Sequence, residues 1–214
     1  MTDVVPHLRA HPVLAIMRGV PAEHVTALGR ALLAGGVRSL EVAFTDEDAS
    51  DKIAALIDAL GEHVVVGAGT VTTPARAEAA RAAGATFLVT PHVAPAVNAF
   101  AREHALPVLC WATTASEIVQ ACEQGAAFIK LFPAGPLGPS YLRALLGPYP
   151  DLEVFAVGGI GAANAAAFLE AGAIGVGVGG ALTSLDWAAP DLDVVTTLAR
   201  ELVGVVTMVR EARS

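Results

Sequence analysis

The sequence predicts an α/β chain that closes into a single-domain (β/α)8 TIM barrel spanning residues 1–214. Three observations predict it. One junction recurs: an Ala-rich helix, a glycine, then an apolar strand. It stands at Ala34-Gly35-Gly36-Val37, Ala83-Gly84-Ala85-Thr86, Gln124-Gly125-Ala126-Ala127 and Ala171-Gly172-Ala173-Ile174. The intervals between Gly36, Gly84, Gly125 and Gly172 are 48, 41 and 47 residues. A βα unit takes roughly 20–25 residues, so each interval holds two units. Finally, a length of 214 residues suits a barrel of this kind, which starts at roughly 200 residues.

Eight apolar runs read as strands: Val13–Gly19, Ser39–Phe44, Val64–Thr70, Phe87–His92, Pro107–Thr113, Phe128–Ala134, Glu153–Ile160 and Ile174–Gly180. Helical stretches separate them, among them Ala22–Leu33, Asp48–Leu60, Pro74–Ala83, Pro139–Leu146 and Ala163–Ala171. Leu192–Glu211 reads as a closing amphipathic helix. The junction glycines suit the left-handed turn that ends a helix. A doubly wound open sheet is the alternative; the strand count of eight favours the barrel.

Composition narrows the function. The chain is 54% hydrophobic with a formal charge of −8, which argues against nucleic acid or an anionic membrane as partner. Cys110 and Cys122 make no disulfide framework and no metal-type CxxC. The start shows no signal peptide and no run is long enough to span a bilayer, so the expected compartment is the cytoplasm. The six histidines are scattered, and no metal or organic cofactor is expected.

The basic residues are more telling. Of 13 Lys+Arg only two are lysine. Lys52 begins a helical stretch in Asp51-Lys52-Ile53-Ala54 and reads as a surface residue. Lys130 lies within the apolar run Phe128-Ile129-Lys130-Leu131-Phe132-Pro133. An arginine keeps its proton in a protein, whereas a desolvated lysine can lose it. A neutral amine in an apolar strand is the requirement for a Schiff base with a carbonyl substrate.

Alternation supplies a partner. In Ser39-Leu40-Glu41-Val42-Ala43-Phe44 the apolar set Leu40, Val42 and Phe44 faces the helices, so Glu41 faces the axis. On the sixth strand Ile129 and Leu131 face out, and Phe128, Lys130 and Phe132 face in. The second and sixth strands share a parity and lie opposite each other, so Glu41 and Lys130 can meet over the centre. A buried structural ion pair is the alternative role for them, although burying such a pair often costs more than it gains.

Active sites of such barrels stand at the C-terminal strand ends. The residues there are Arg18, Thr70, Pro91, His92, Gly158, Gly159, Gly179 and Gly180. Arg18 suits a substrate carboxylate. Thr70 could bond the same group or cap the next helix. His92 reads equally as a rim residue, and Asp46-Glu47-Asp48 as a solvated helix start. The glycine turns after the seventh and eighth strands suit phosphate.

Together these motifs resemble the class I aldolases that act on 2-keto-3-deoxy-6-phosphogluconate (KDPG) and 4-hydroxy-2-oxoglutarate (KHG). The resemblance covers about residues 11–185. It runs through Leu14-Ala15-Ile16-Met17-Arg18-Gly19, Gly35-Gly36-Val37, Leu40-Glu41-Val42, Gly67-Ala68-Gly69-Thr70-Val71, Val89-Thr90-Pro91-His92, Ile129-Lys130-Leu131-Phe132-Pro133 and Val157-Gly158-Gly159-Ile160. It implies Lys130 as Schiff-base residue and Glu41 as general acid/base. It also implies Arg18 and Thr70 near the pyruvyl carboxylate, phosphate at the glycine turns, and a homotrimer; Pro91, at a strand end, and the inward Phe132 are expected to bind substrate as well. The chain departs from the family pattern at Thr45, often arginine, and at Cys110-Trp111, usually Pro-Gly. It departs again at Val157, threonine in many gluconate-type members, and at Gly180-Ala181, where a serine is frequent. These bear on which keto acid is taken. Two other readings stay open: a phosphate-binding barrel isomerase or epimerase, and a non-catalytic binding barrel.

Overall fold

The structure, a computed structural model, describes residues 3–213. The elements run α1 (Val4–Ala10), β1 (Val13–Met17), α2 (Ala22–Ala34), β2 (Ser39–Ala43), α3 (Ala49–Leu60), β3 (Val65–Gly69), α4 (Pro74–Ala82), β4 (Leu88–Thr90) and α5 (Pro95–Glu103). They continue β5 (Val108–Ala112), α6 (Ala115–Glu123), β6 (Phe128–Leu131), α7 (Ala134–Leu137), α8 (Pro139–Leu146), β7 (Val154–Val157), α9 (Ala162–Glu170), β8 (Gly175–Val178), α10 (Gly180–Thr183) and α11 (Leu192–Glu211). All eight strands are parallel, and β1 pairs with β8 through Val13↔Val176 and Leu14↔Gly177. The sheet is therefore a closed barrel, not an open doubly wound sheet.

Strand alternation divides the apolar residues into two layers. Leu14, Ile16, Val65, Phe87, Val89, Leu109, Phe128, Phe155 and Val157 fill the barrel. Leu40, Val42, Ala68, Leu88, Cys110, Ile129 and Leu131 face out and pack with the helices. Leu8 of α1 joins the inner set and is fully buried, so α1 plugs the end remote from the site. Arg9 fastens α1 by a paired bond to Glu153, at 2.6 and 2.7 Å. The short α1 has no long periodic stretch to announce it, and the sequence reading did not find it.

The helix starts follow local chemistry. Thr114 and Glu117 form a reciprocal capping box at α6. Thr73, not Thr70, caps α4, accepting the N–H of Arg76 at 3.2 Å. The strands end sooner than the apolar runs suggest, because the chain leaves the ladder just where Arg18, Thr70, Pro91, Phe132 and Gly158 begin. Those residues stand on the first loop positions past β1, β3, β4, β6 and β7.

Candidate active site

The strand ends open into a cavity of about 830 Å³. Arg18, Thr70, Pro91, Lys130, Phe132, Gly158, Gly159, Gly179 and Gly180 all line it, with Ile16, Trp111, Val157 and Ser184. The residues chosen from the sequence are therefore brought together here, apart from Glu41 and His92. Glu41 lies one layer deeper, fully buried behind Lys130. His92 is not among the lining residues, and its backbone carbonyl accepts from the Cys110 thiol at 3.6 Å.

Lys130 is 7% exposed. Its Nζ donates to both carboxylate oxygens of Glu41, each at 3.2 Å. The opposition of the second and sixth strands is thus realised across the barrel. What makes room for it is β3. A Cβ at Gly69 would fall inside the Glu41 carboxylate, and one at Gly67 inside the Phe87 ring. Glycine at these inward positions is needed for space, since the strand register sets Glu41 beside Gly67. The sequence reading took Gly67-Ala68-Gly69 only as a motif, yet the inward parity it assigned to neighbouring strands would have found them.

The wall beside Lys130 is aromatic. Trp111 lies on the inner face of β5, in register with Lys130. Its indole N–H donates to the Phe132 carbonyl at 2.9 Å, and the Thr113 hydroxyl donates to the same oxygen at 2.7 Å. The Trp111 and Phe132 rings meet edge to face, 4.4 Å between centroids. With its N–H engaged, Trp111 offers the cavity only ring surface. A Cβ at Gly158 would reach 2.6 Å from the Phe132 ring, so glycine there seats the aromatic side chain. Val157 adds a further apolar wall.

Arg18 extends past β1 and donates from Nη2 to the Thr70 hydroxyl at 3.4 Å. Thr70 has a φ of +58°, a left-handed conformation that a β-branched residue rarely adopts. Such backbone geometry concentrates at functional sites. Arg76 steadies it by donating to the Thr70 carbonyl at 3.3 Å. Among the described residues no carboxylate pairs with Arg18. The glycine pair Gly158-Gly159 also has positive φ at both residues, +89° and +75°. Among the described residues no cluster of His, Cys, Asp and Glu has the makings of a metal site.

The second lysine corrects the sequence reading. Lys52 is not a surface residue but is 4% exposed. Its Nζ meets Asp46 Oδ2 at 2.9 Å and Asp48 Oδ1 at 2.7 Å. Asp46 and Asp48 therefore do more than solvate a helix start. Burial opposes the ammonium, but the hydrogen bonds and charges of Asp48 and Asp46 outweigh it and hold the Lys52 pKa above its ordinary value. Burial likewise opposes the Asp46 carboxylate. Lys52, the Thr45 hydroxyl and the Gly19 N–H outweigh it and hold Asp46 below the usual range. Spacing alone hid this, because the lysine lies on a helix whose opposite face is polar.

A closed parallel barrel with one buried lysine exposed to a cavity at its strand ends defines a class, the lysine-dependent barrel lyases. The family of KDPG and KHG aldolases matches residues 4–198, and the chain belongs to that family of class I aldolases. The 2-dehydro-3-deoxy-6-phosphogalactonate aldolase of Escherichia coli K12 is 34% identical over 169 residues, 78% of this chain and 82% of that protein. The KHG/KDPG aldolase of the same strain is 34% identical over 204 residues, 92% of each chain. Among solved structures, a porous cage designed by fusing symmetric oligomeric domains superposes with a TM-score of 0.88 at 30% identity, covering 94% of this chain and 74% of that one. KDPG aldolase from Legionella pneumophila, with pyruvate captured as a covalent carbinolamine, gives 0.76 at 25% identity, covering 97% and 98%.

Proposed function

We propose that the protein cleaves a 2-keto-3-deoxy-6-phospho sugar acid to pyruvate and glyceraldehyde 3-phosphate, with Lys130 as the Schiff-base residue. The observation that carries this reading is the Lys130–Glu41 pair at the base of the cavity. Transfer of one proton from Nζ to Glu41 yields the nucleophile and an acid in one step. The amine attacks the C2 carbonyl, and Glu41 protonates the departing hydroxyl as the carbinolamine loses water. Glu41, again a carboxylate, then takes the C4 hydroxyl proton through a water. The C3–C4 bond breaks, its electron pair moves into the iminium to give an enamine, and C4 leaves as the aldehyde. Protonation at C3 and hydrolysis release pyruvate and restore the amine. The carbinolamine described for the Legionella aldolase supports this sequence of steps.

In this reading Arg18 and the Thr70 hydroxyl hold the keto-acid carboxylate, with Pro91 and Phe132 bounding the pyruvyl part. Gly158-Gly159 and Gly179-Gly180 offer backbone N–H groups to the phosphate. The apolar Val157 wall favours the galactonate configuration as a second reading, in keeping with the phosphogalactonate relative. A homotrimer, supported by the likeness to a symmetric oligomeric domain, and a cytoplasmic location complete the proposal. Among the described residues no helix is long and apolar enough to cross a membrane.

The test is pyruvate release from phosphogluconate, phosphogalactonate and 4-hydroxy-2-oxoglutarate substrates, with unphosphorylated controls. At least one should turn over and lose its activity in Lys130→Arg. Pyruvate release retained in Lys130→Arg would contradict the Schiff-base role, because arginine keeps the charge but forms no imine; no pyruvate release from any of these substrates would point instead to an isomerase or a binding barrel.

A further inference from the structure

We propose that Lys52 and Asp46 are positioning residues that latch Arg18 in place for the keto-acid carboxylate; this rests on the aldolase reading above. Arg18 needs such a device. It is exposed, and its guanidinium is held by a 3.4 Å contact with the Thr70 hydroxyl. Its neighbour Gly19 has a φ of +65°, and a Cβ there would meet nothing within 4 Å. The glycine thus serves the turn and not packing, and by itself it leaves the β1–α2 loop free to move.

Asp46 removes that freedom. Its Oδ2 accepts the Gly19 N–H at 3.2 Å and Lys52 Nζ at 2.9 Å, and its Oδ1 accepts the Thr45 hydroxyl at 3.2 Å. Lys52 also holds Asp48 at 2.7 Å, so one buried ammonium ties the β2–α3 loop to itself and, through Asp46, to the β1–α2 loop. Burying a lysine is a poor route to stability, because a well-packed apolar side chain does as well. It is a good route to a fixed geometry, because the carboxylate can satisfy the ammonium in only a few orientations. Position 45 carries threonine, whose hydroxyl is spent on Asp46, so the carboxylate grip falls to Arg18. The latch supplies the order that the exposed guanidinium lacks.

The experiment uses the full-length protein and pyruvate as probe. The rate of irreversible inactivation by borohydride is measured against pyruvate concentration, which gives a half-saturating concentration and a limiting rate. Wild-type protein that shows no pyruvate-dependent inactivation would sink the aldolase reading itself. Given inactivation, Lys52→Met should raise the half-saturating pyruvate about tenfold, with a limiting rate within about twofold of wild type. Lys52→Arg should restore most of the loss. Asp46→Ala, which leaves Lys52 its Asp48 partner, should show the same split and serves if Lys52→Met does not fold. In an Arg18→Met background, Lys52→Met should add nothing further. Unchanged half-saturation in both variants, or an equal effect with Arg18 already removed, would overturn the latch.

Discussion

The chain's two lysines are both buried and both paired, yet their surroundings differ in the one respect that matters for reactivity. Lys52 meets two carboxylates at 2.7 and 2.9 Å and is not among the residues that line the cavity at the strand ends. Lys130 meets one carboxylate, each oxygen at the longer distance of 3.2 Å, and lines a cavity of about 830 Å³. An ammonium held by two close carboxylates has no reason to give up its proton. One that meets a single carboxylate, in a pocket open to solvent, leaves a side from which a carbonyl can approach. On the proposed mechanism, what separates the two lysines is therefore not burial but the count of partners and the access to a carbonyl.

The largest expected effect breaks the comparison at its reactive end. Lys130→Met should lower pyruvate release by about 10⁴ or more, whereas Lys52→Met at saturating substrate should stay within about twofold of wild type. Steady-state assays of both proteins check this. Next comes the geometry behind Lys130. Gly69→Ala sets a methyl where the Glu41 carboxylate lies, and displacement of that group should cost about 10² in kcat. Glu41→Gln in the same assay should match or exceed it, at about 10²–10⁴.

Stability changes should be largest at the other lysine. Lys52→Met leaves Asp46 and Asp48 without their cation, but these carboxylates are 18% and 41% exposed and can rehydrate. The loss should be about 1–2 kcal/mol, below that of a fully buried pair, and a Tm decrease of roughly 2–8 °C in calorimetry. The smallest effect is the pH response of that pair. The Asp46 pKa is depressed, so its contribution is present above the ordinary carboxylate range and lost as pH falls through the lower folded value. The Lys52 pKa is raised, so its contribution is complete below the ordinary lysine range and lost as pH rises through the higher folded value. Denaturation at several pH values should show the wild-type advantage over Lys52→Met steady near neutrality and fading at both extremes.

Much of this was legible in the sequence. The recurring glycines end helices with φ of +94°, +93°, +81° and +114° at Gly36, Gly84, Gly125 and Gly172, the left-handed turn expected at those junctions. Strand parity alone aimed Glu41 and Lys130 at each other. What stayed hidden depends on three-dimensional neighbours that no period encodes. Lys52 lies in a polar-looking helix start, and only the fold of the β2–α3 loop closes Asp46 over it. Trp111 was visible within the fifth apolar run as a departure from the family pattern, but its place beside Lys130 is set by the register of β5 with β6. Gly69 was visible as part of a motif, but its need to be glycine comes from a carboxylate on the adjacent strand.

The most direct test of the difference between the two lysines is to reduce intact protein with borohydride in the presence of pyruvate and map the modified peptide by mass spectrometry. The account predicts one carboxyethyl group, on Lys130, with Lys52 unmodified. Labelling of Lys52 in its place, or no pyruvate-dependent label on either lysine, would contradict it.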